Sequence, residues 1–433
     1  MDSHHGRPSL AAFALVWAGQ LVSVLATQMT AFALVIWVYQ RTGSVTALGL
    51  QEAFYITPFL LMTPLAGVLV DRHNRKLMMM VSDLGAGAAT VGVLALQAAG
   101  VLEVWHLYVA AAVTGACACF QWPAFSASIS LMVPEEHLGR ANGMMSLVES
   151  GPGVLAPLLA GALLPLVSLT GILLIDVVTF VLAVGALAVV RVPQPAKAEN
   201  EQKDEGGLRN QLLFGLRYIL ARPGLLAIQL VFLFGNLASA MGHTVLAPMV
   251  LTRTGQNETT LGLVLGIGAA GGVAGGLVMS AWGGFKRRTV GVMGGFALDG
   301  LATLVGLGLG RGPGAWMAGM FARQATTPLI DSSNQALWQT RVPPELQGRV
   351  FSTRMLIAWI TFPLAPLIAG PLADYVLEPG MQPGGALAAT FGWLVGTGPG
   401  AGMAVLLAAT GVMMMVGGLV GWLTPAVRNV ERA

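Results

Sequence analysis

The chain has 433 residues, 55% of them hydrophobic and only 10% charged, with a net charge of +3 and a mean hydropathy of +0.72. A water-soluble domain carries about 25% charged residues. This composition therefore excludes a soluble globule of this size and points to a chain whose main solvent is lipid. No nucleic-acid partner is expected, because where the charges lie matters here more than their sum. Cys117 and Cys119 sit two apart in an apolar run, on different faces of a helix, so no disulfide between them is expected. No Cys/His metal pattern is present; His4 and His5 form an isolated pair, so neither a metal nor another cofactor is expected.

A helix needs about 20 apolar residues to cross the hydrocarbon core. Runs of that kind predict spans over 13–39, 47–70, 77–96, 107–133, 141–167, 172–190, 225–251, 261–282, 290–309, 315–337, 351–377 and 401–423, twelve in all. No secretory cleavage site precedes the first run, which is read as a retained helix. The glycine-rich segment 384–398 is read as an outer loop or surface helix. Alternating these spans from a cytoplasmic N-terminus puts 18 basic residues in inner segments, three (Arg41, Arg253, Arg311) in outer loops and two (Arg323, Arg354) inside helices. This is the bias of the positive-inside rule, and it predicts that both termini face the cytoplasm of a bacterial cell.

The long polar stretch is 192–222, which carries Pro-Gln-Pro, an acidic run with lysines, and an amphipathic segment from about Leu208 to Leu220. It predicts a six-helix bundle over 1–191, a linker over 192–222 and a second bundle over 223–433. The halves repeat each other. Val133-Pro134, Gly139-Arg140, Ala156-Pro157-Leu158 and Ala160-Gly161 recur 209 residues on as Val342-Pro343, Gly348-Arg349, Ala365-Pro366-Leu367 and Ala369-Gly370. A fixed offset across such a stretch is the mark of an internal repeat, and parallel six-helix repeats form one known transporter architecture.

Between the second and third spans lies Gly67-Val-Leu-Val-Asp71-Arg72-His-Asn-Arg75-Lys76. Glycine allows close helix approach, the carboxylate suits a helix N-terminus, and the cations can bridge to neighbouring loops. The loop resembles the signature loop of the major facilitator superfamily, where it locks the cytoplasmic gate; the simpler reading is a basic cluster that only orients the chain. The second-half counterpart keeps Lys286, Arg287 and Arg288 but has Gly284 where Asp71 maps. Glu149-Ser-Gly-Pro-Gly153 partly resembles the Gly-Pro motif of proton-coupled antiporters. Trp17–Ser23, Trp37–Thr46, Phe120–Pro123, Leu138–Gly143 and Val342–Phe351 together resemble the macrolide-efflux-type branch of the superfamily. The resemblance implies an all-α integral membrane protein with twelve helices in two pseudo-symmetric bundles. It further implies a monomer that exports small amphipathic molecules, antibiotic-like or siderophore-like, in exchange for protons by alternating access. An importer or lipid flippase of the same fold stays open, as does a non-transporting sensor or scaffold. No Gly-x-x-x-x-Gly-Lys-Ser/Thr loop is present, so ATP is not the expected direct energy source, and no nucleophile–base arrangement suggests an enzyme.

Ionisable residues in lipid are costly and hence candidates for function. Counted from the charged inner boundary, Glu149, Asp331 and Asp299 lie about 14–16 Å deep, near the midplane, and are candidates for carrying the proton. Arg323, by the same count, lies about 27 Å deep, toward the outer end. Asp176 is likewise read near an outer helix end. Arg323, Thr327, Asp331 and Asn334 share one face of their helix. The resemblance places helices one, four, seven and ten around the substrate cavity, which adds Gln20, Gln28, Gln121, Trp122, Gln229 and Asn236 as candidate lining residues. Asp83 and Arg140 are read as a charge pair of the cytoplasmic gate, with Asp299 and Arg349 as their second-half counterparts. Arg354, five residues past Arg349, is read as snorkelling inward.

Overall fold

A computed structural model describes residues 10–72, 74–134, 137–190 and 208–431, and every regular element among them is helical. The chain forms α1 (Leu10–Thr42), α2 (Val45–Arg72), α3 (Arg75–Ala98), α4 (Val104–Met132), α5 (Leu138–Val189), α6 (Leu208–Leu220), α7 (Pro223–Arg253), α8 (Glu258–Trp282) and α9 (Arg288–Ala302). A π-helical stretch, Thr303–Gly308, extends α9 and is followed by α10 (Pro313–Arg341), α11 (Pro344–Trp359) and α12 (Thr361–Pro371). A second π-helical stretch, Leu372–Leu377, leads to α13 (Glu378–Gly380), α14 (Ala388–Val395), α15 (Ala401–Leu423) and α16 (Pro425–Arg428).

Among the described residues, ten stretches are long and apolar enough to cross a membrane. The difference from the expected twelve has two local causes. The fifth and sixth predicted spans are continuous in α5, where Ser168 (φ 59°, ψ 178°) bends the chain inside a 40-residue apolar stretch, Ser150–Val189. The tenth, α10, has the length, 29 residues, but carries too many polar groups to reach the hydropathy of its neighbours. The eleventh is broken at Ile360 between α11 and α12, a break no hydropathy average can see. Large apolar side chains also point outward, among them Val189 at 80% exposure and Leu166 at 78%. Apolar surface of that extent suits a hydrocarbon solvent and not water.

The described residues fall into two compact units, one within 10–43 and 50–190 and the other within 44–49 and 208–431. In the first, α1 packs along α5, and α3 packs on α4 and α5. Phe13, Met79, Phe125, Met145 and Leu187 form its apolar core. Small residues set the approach of these helices: a Cβ on Gly115 would collide with the carbonyl of Tyr55, and one on Gly87 with the Phe180 ring. Asn74 caps α3, accepting from the Leu77 amide at 3.2 Å.

In the second unit α10 packs on α8 and α9, and α15 packs on α7 and α9. The Phe232 and Phe296 rings meet edge-on, with centroids 5.0 Å apart, beside Ile228, Leu337 and Trp338. Carboxylates fasten three helix starts, where unpaired amides and the helix dipole favour negative charge. Glu431 accepts from the Arg288 amide and from Thr289 Oγ1 at α9, and Glu378 from the amides of Gly400 and Met403 at α15. Asp374 does the same at the start of α2. It accepts from Ser44 Oγ at 2.7 Å, the Val45 amide at 3.0 Å and the Thr46 amide at 2.8 Å. Gly49 lies against the Pro366 carbonyl and Gly370 against Thr46 Cα, so a Cβ on either would come within 2.7 Å. These contacts are why residues 44–49 belong to the second unit although the rest of α2 belongs to the first. Asp374→Ala is expected to cost about 0.5–2 kcal/mol, the range for losing a helix cap. Thermal unfolding of the purified protein measures this, and an unchanged midpoint would refute the cap.

Candidate functional site

In the first unit the polar residues of α1, α3 and α4 converge. Gln20 and Asp83 belong to long apolar helices, so their polar ends can be satisfied only by other side chains. Gln20 is buried; its Nε2 donates to Asp83 Oδ2 at 2.9 Å, and its Oε1 accepts from Gln121 Nε2 at 2.8 Å. Gln121 Oε1 is buried and has no partner among the described residues. Asp83 thus takes its hydrogen bonds from neutral amides, those of Gln20 and Gln121. Arg140, expected opposite it, is exposed at the start of α5. Trp17 Nε1, one turn before Gln20, donates to the Met144 carbonyl at 2.6 Å and ties α1 to α5.

Asp176 is fully inside the first unit, 2% exposed, and not at a helix end as the residue count suggested. Thr27 Oγ1 donates to its Oδ1 at 2.9 Å and Thr90 Oγ1 to its Oδ2 at 3.3 Å. The bend at Ser168 folds this part of α5 back, which makes Asp176 a tie between α1, α3 and α5. Lys76 Nζ donates to the Ala188 and Val190 carbonyls at 2.7 and 2.8 Å, a cation on the C-terminal end of α5. Arg75 is half-buried beside it, and Gln28 is exposed on α1. Gly67, Asp71, Arg72, Trp122 and Glu149 lie outside the described side chains.

In the second unit two charge clusters stand on α10. Asp299 and Arg323 are both buried, with Arg323 Nε 3.3 Å from Asp299 Oδ1. Thr303 Oγ1 donates to the same carboxylate oxygen at 3.3 Å, from the start of the π-helical stretch. Arg323 Nη2 donates to Ser239 Oγ at 2.5 Å, which ties α7 into the cluster. The pairing brings Arg323 on α10 to the level of Asp299 on α9. α10 has 29 residues, about 43 Å at 1.5 Å per residue. It outruns a hydrocarbon core of about 30 Å. Asp299 is accordingly the partner of Arg323 and not of Arg349, which lies exposed on α11 with its guanidinium 5.8 Å from the Phe214 ring.

The second cluster gathers around Arg354. Its Nη1 donates to Gln335 Oε1 at 3.2 Å and its guanidinium lies 5.1 Å from the Trp338 ring. Asp331, Gln335 and Trp338 are one and two turns apart on α10 and so share a face. Gln229 Nε2 donates to the Arg354 carbonyl at 3.2 Å and Asn236 Nδ2 to the Ala358 carbonyl at 3.5 Å, fastening α7 to α11. Thr327 is half-buried, and Asn334 is buried with Oδ1 unpaired among the described residues. Ser239 and Arg354 were not among the expected site residues. A cation alone in the apolar run after Arg349 is the signal that marks Arg354; nothing in the sequence marks Ser239.

The sequence profile of the Major Facilitator Superfamily matches residues 16–366. The macrolide efflux protein A of Streptococcus pyogenes is 26% identical over 368 residues, covering 84% of this chain and 90% of that protein. The multidrug efflux pump Tap of Mycobacterium tuberculosis (strain ATCC 25618 / H37Rv) is 26% identical over 381 residues, covering 86% and 88%. Among solved structures, an inward-facing bacterial homologue of the human lysosomal transporter Spinster superposes with a TM-score of 0.68 at 15% identity, covering 98% of both chains. An inward-facing bacterial homologue of the iron transporter ferroportin gives 0.65 at 16% identity, covering 95% of this chain and 99% of that one.

Proposed function

The chain belongs to the major facilitator superfamily, and on that premise we propose that this multi-pass membrane transporter exports small amphipathic molecules in exchange for protons. The likeness to two efflux proteins across 84% and 86% of the chain carries the export reading. Macrolide-like compounds are the first substrates to try, since one of those relatives is a macrolide efflux protein. Asp83, held by amides within an apolar bundle, supports the proton half: a carboxylate there is costly as an anion and gains by taking a proton. Asp331, the carboxylate of α10, stands one turn before the Gln335 that accepts from Arg354 and is the second-unit candidate.

The distribution of its basic residues supports a bacterial cell-membrane protein with both termini cytoplasmic, and we take it to act as a monomer. On that orientation the Gly67–Lys76 loop and Arg140 are the gate residues of the first unit and Arg349 that of the second. Lys76 is seated to hold the end of α5 through the Ala188 and Val190 carbonyls.

Inside-out membrane vesicles containing the full chain test the reading with ethidium and erythromycin as probes. Accumulation in the vesicle lumen that collapses on adding a protonophore is the expected result. Accumulation that survives the protonophore would remove proton exchange. Movement of either probe out of the lumen, driven by the same gradient, would favour an importer instead.

A further inference from the structure

The Asp83–Gln20–Gln121 chain has a direction, and the direction is set by one proton. An ionised carboxylate only accepts hydrogen bonds, so Gln20 must turn its NH2 toward Asp83. That leaves Gln20 Oε1 to accept from Gln121 Nε2, and Gln121 Oε1 as the far end of the chain. This is the arrangement seen, and the far end is a buried acceptor with no donor among the described residues. Buried acceptors are rarely left this way unless something else supplies the donor. A protonated Asp83 reverses every step. Its O–H donates to Gln20 Oε1, both amides turn over, and Gln20 Nε2 donates to Gln121 Oε1, which closes the open acceptor.

We propose that Asp83, Gln20 and Gln121 form a reversible hydrogen-bond chain that makes a proton on Asp83 and a hydrogen-bond donor bound at Gln121 Oε1 mutually exclusive. The donor is an N–H group of the transported molecule, of the amine or ammonium class. The inference rests on the exchange reading above and gives it a first-unit site and a substrate chemistry. With Asp83 ionised, Gln121 Oε1 accepts the substrate N–H. When water delivers a proton to Asp83 Oδ2, one O–H bond forms, the amides turn, Gln121 Oε1 is filled from within, and the substrate donor loses its partner. Loss of that proton to water resets the chain. Each transfer breaks one O–H bond of hydronium as it forms one on the carboxyl, and the exchange is one proton for one donor.

The titratable groups on the surrounding helices leave Asp83 in control of this chain. On α3, Arg75 and Lys76 lie two turns away, with Lys76 committed to the α5 carbonyls. On α4, Cys117 packs against Gly85, and Cys119 bonds the Ala116 carbonyl. On α5, Arg140 is exposed, His137 is at the helix start, and Asp176 is held by Thr27 and Thr90. The described part of α1 brings Gln20 itself, with Tyr39 and Arg41 five turns further along.

The test uses the purified full chain and two cationic probes: ethidium, which carries N–H donors, and tetraphenylphosphonium, which carries none. Wild-type affinity for ethidium is expected to weaken about tenfold per pH unit once Asp83 takes its proton, the slope of a single-proton linkage. Tetraphenylphosphonium binding should lack that slope. Asp83→Asn should abolish the slope together with the protonated-carboxyl band in the pH-difference infrared spectrum. Gln20→Met should abolish the slope and keep the band, because the proton still binds but the chain is cut. Infrared spectra of Gln20→Met and Gln121→Met need no ligand and should each shift the Asp83 band from its wild-type position. A Gln20→Met variant with the wild-type slope, or a band unmoved by both glutamine variants, overturns the proposal. If vesicle transport by the wild-type chain is gradient-driven while Gln20→Met keeps full coupling, the chain fails and proton exchange stands. Gradient-independent transport by the wild-type chain removes proton exchange itself.

Discussion

Arg323→Met is expected to be the most damaging single substitution in the second unit, at about 3–5 kcal/mol, because it strands a buried carboxylate. Asp299 is 5% exposed and would keep one hydrogen bond, from Thr303 Oγ1 at 3.3 Å. Asp299→Leu strands the cation instead, but Arg323 keeps Ser239 Oγ, so its loss should be smaller. The double variant Asp299→Leu/Arg323→Met removes both charges at once and should recover most of the loss, since a buried pair is often no more stabilising than apolar groups of similar size. A double-mutant cycle on thermal unfolding of the purified protein reads the coupling directly. Simple addition of the two single losses would mean that the pair contributes nothing as a pair. Ser239→Ala should cost less than either single charge change, since it removes one hydrogen bond and leaves the ion pair.

The second large effect belongs to the face of α8 that meets α10. Cβ atoms on Gly271 and Gly275 would collide with the backbone carbonyls of Phe321 and Ala325, contacts that no side-chain rotation can relieve. Their neighbours are the built-in controls: Gly276 has nothing within 4 Å, and Gly272 has a single atom at 3.8 Å. Gly275→Leu must therefore push α8 off α10, whereas Gly276→Leu adds a side chain to open space. In a bilayer, helix pairing depends on close packing because lipid is as apolar as leucine, so a lost fit has little to replace it. The expected result is loss of folded protein for Gly271→Leu and Gly275→Leu, against near-normal yield for Gly272→Leu and Gly276→Leu. Size-exclusion profiles in detergent measure it. Equal profiles for all four would show that this face is not an interface. The same packing holds Arg323 in place, since Phe321 and Ala325 flank it on α10. Gly275→Leu should thus also weaken the Asp299 pairing, and the two predictions are linked.

Much of the chain was legible without coordinates because transfer into lipid is decided residue by residue and adds along a run. Hydropathy places the apolar stretches, the basic residues between them set an expected orientation, and the 209-residue offset shows the repeat. Where local chemistry departs from that average, the reading loses count. A bend at Ser168 hides one boundary inside a continuous apolar stretch, and the polar face of α10 pulls a 29-residue helix below the hydropathy of its neighbours. The residue types of the site were legible too, since a carboxylate or amide in lipid stands out against its surroundings.

Their partners were not legible. Asp83 meets Gln20 and not Arg140, Asp299 meets Arg323 and not Arg349, and Asp374 closes the start of α2 from 328–330 residues away. A partner is chosen by which faces of which helices touch, and that is set by small residues far apart in the chain, such as Gly275 on α8 against Ala325 on α10. Composition alone was enough to require a membrane and helices that satisfy their own backbone. Only the packing of those helices decided which charges are neutralised, which amides are joined in a chain, and which acceptor is left open.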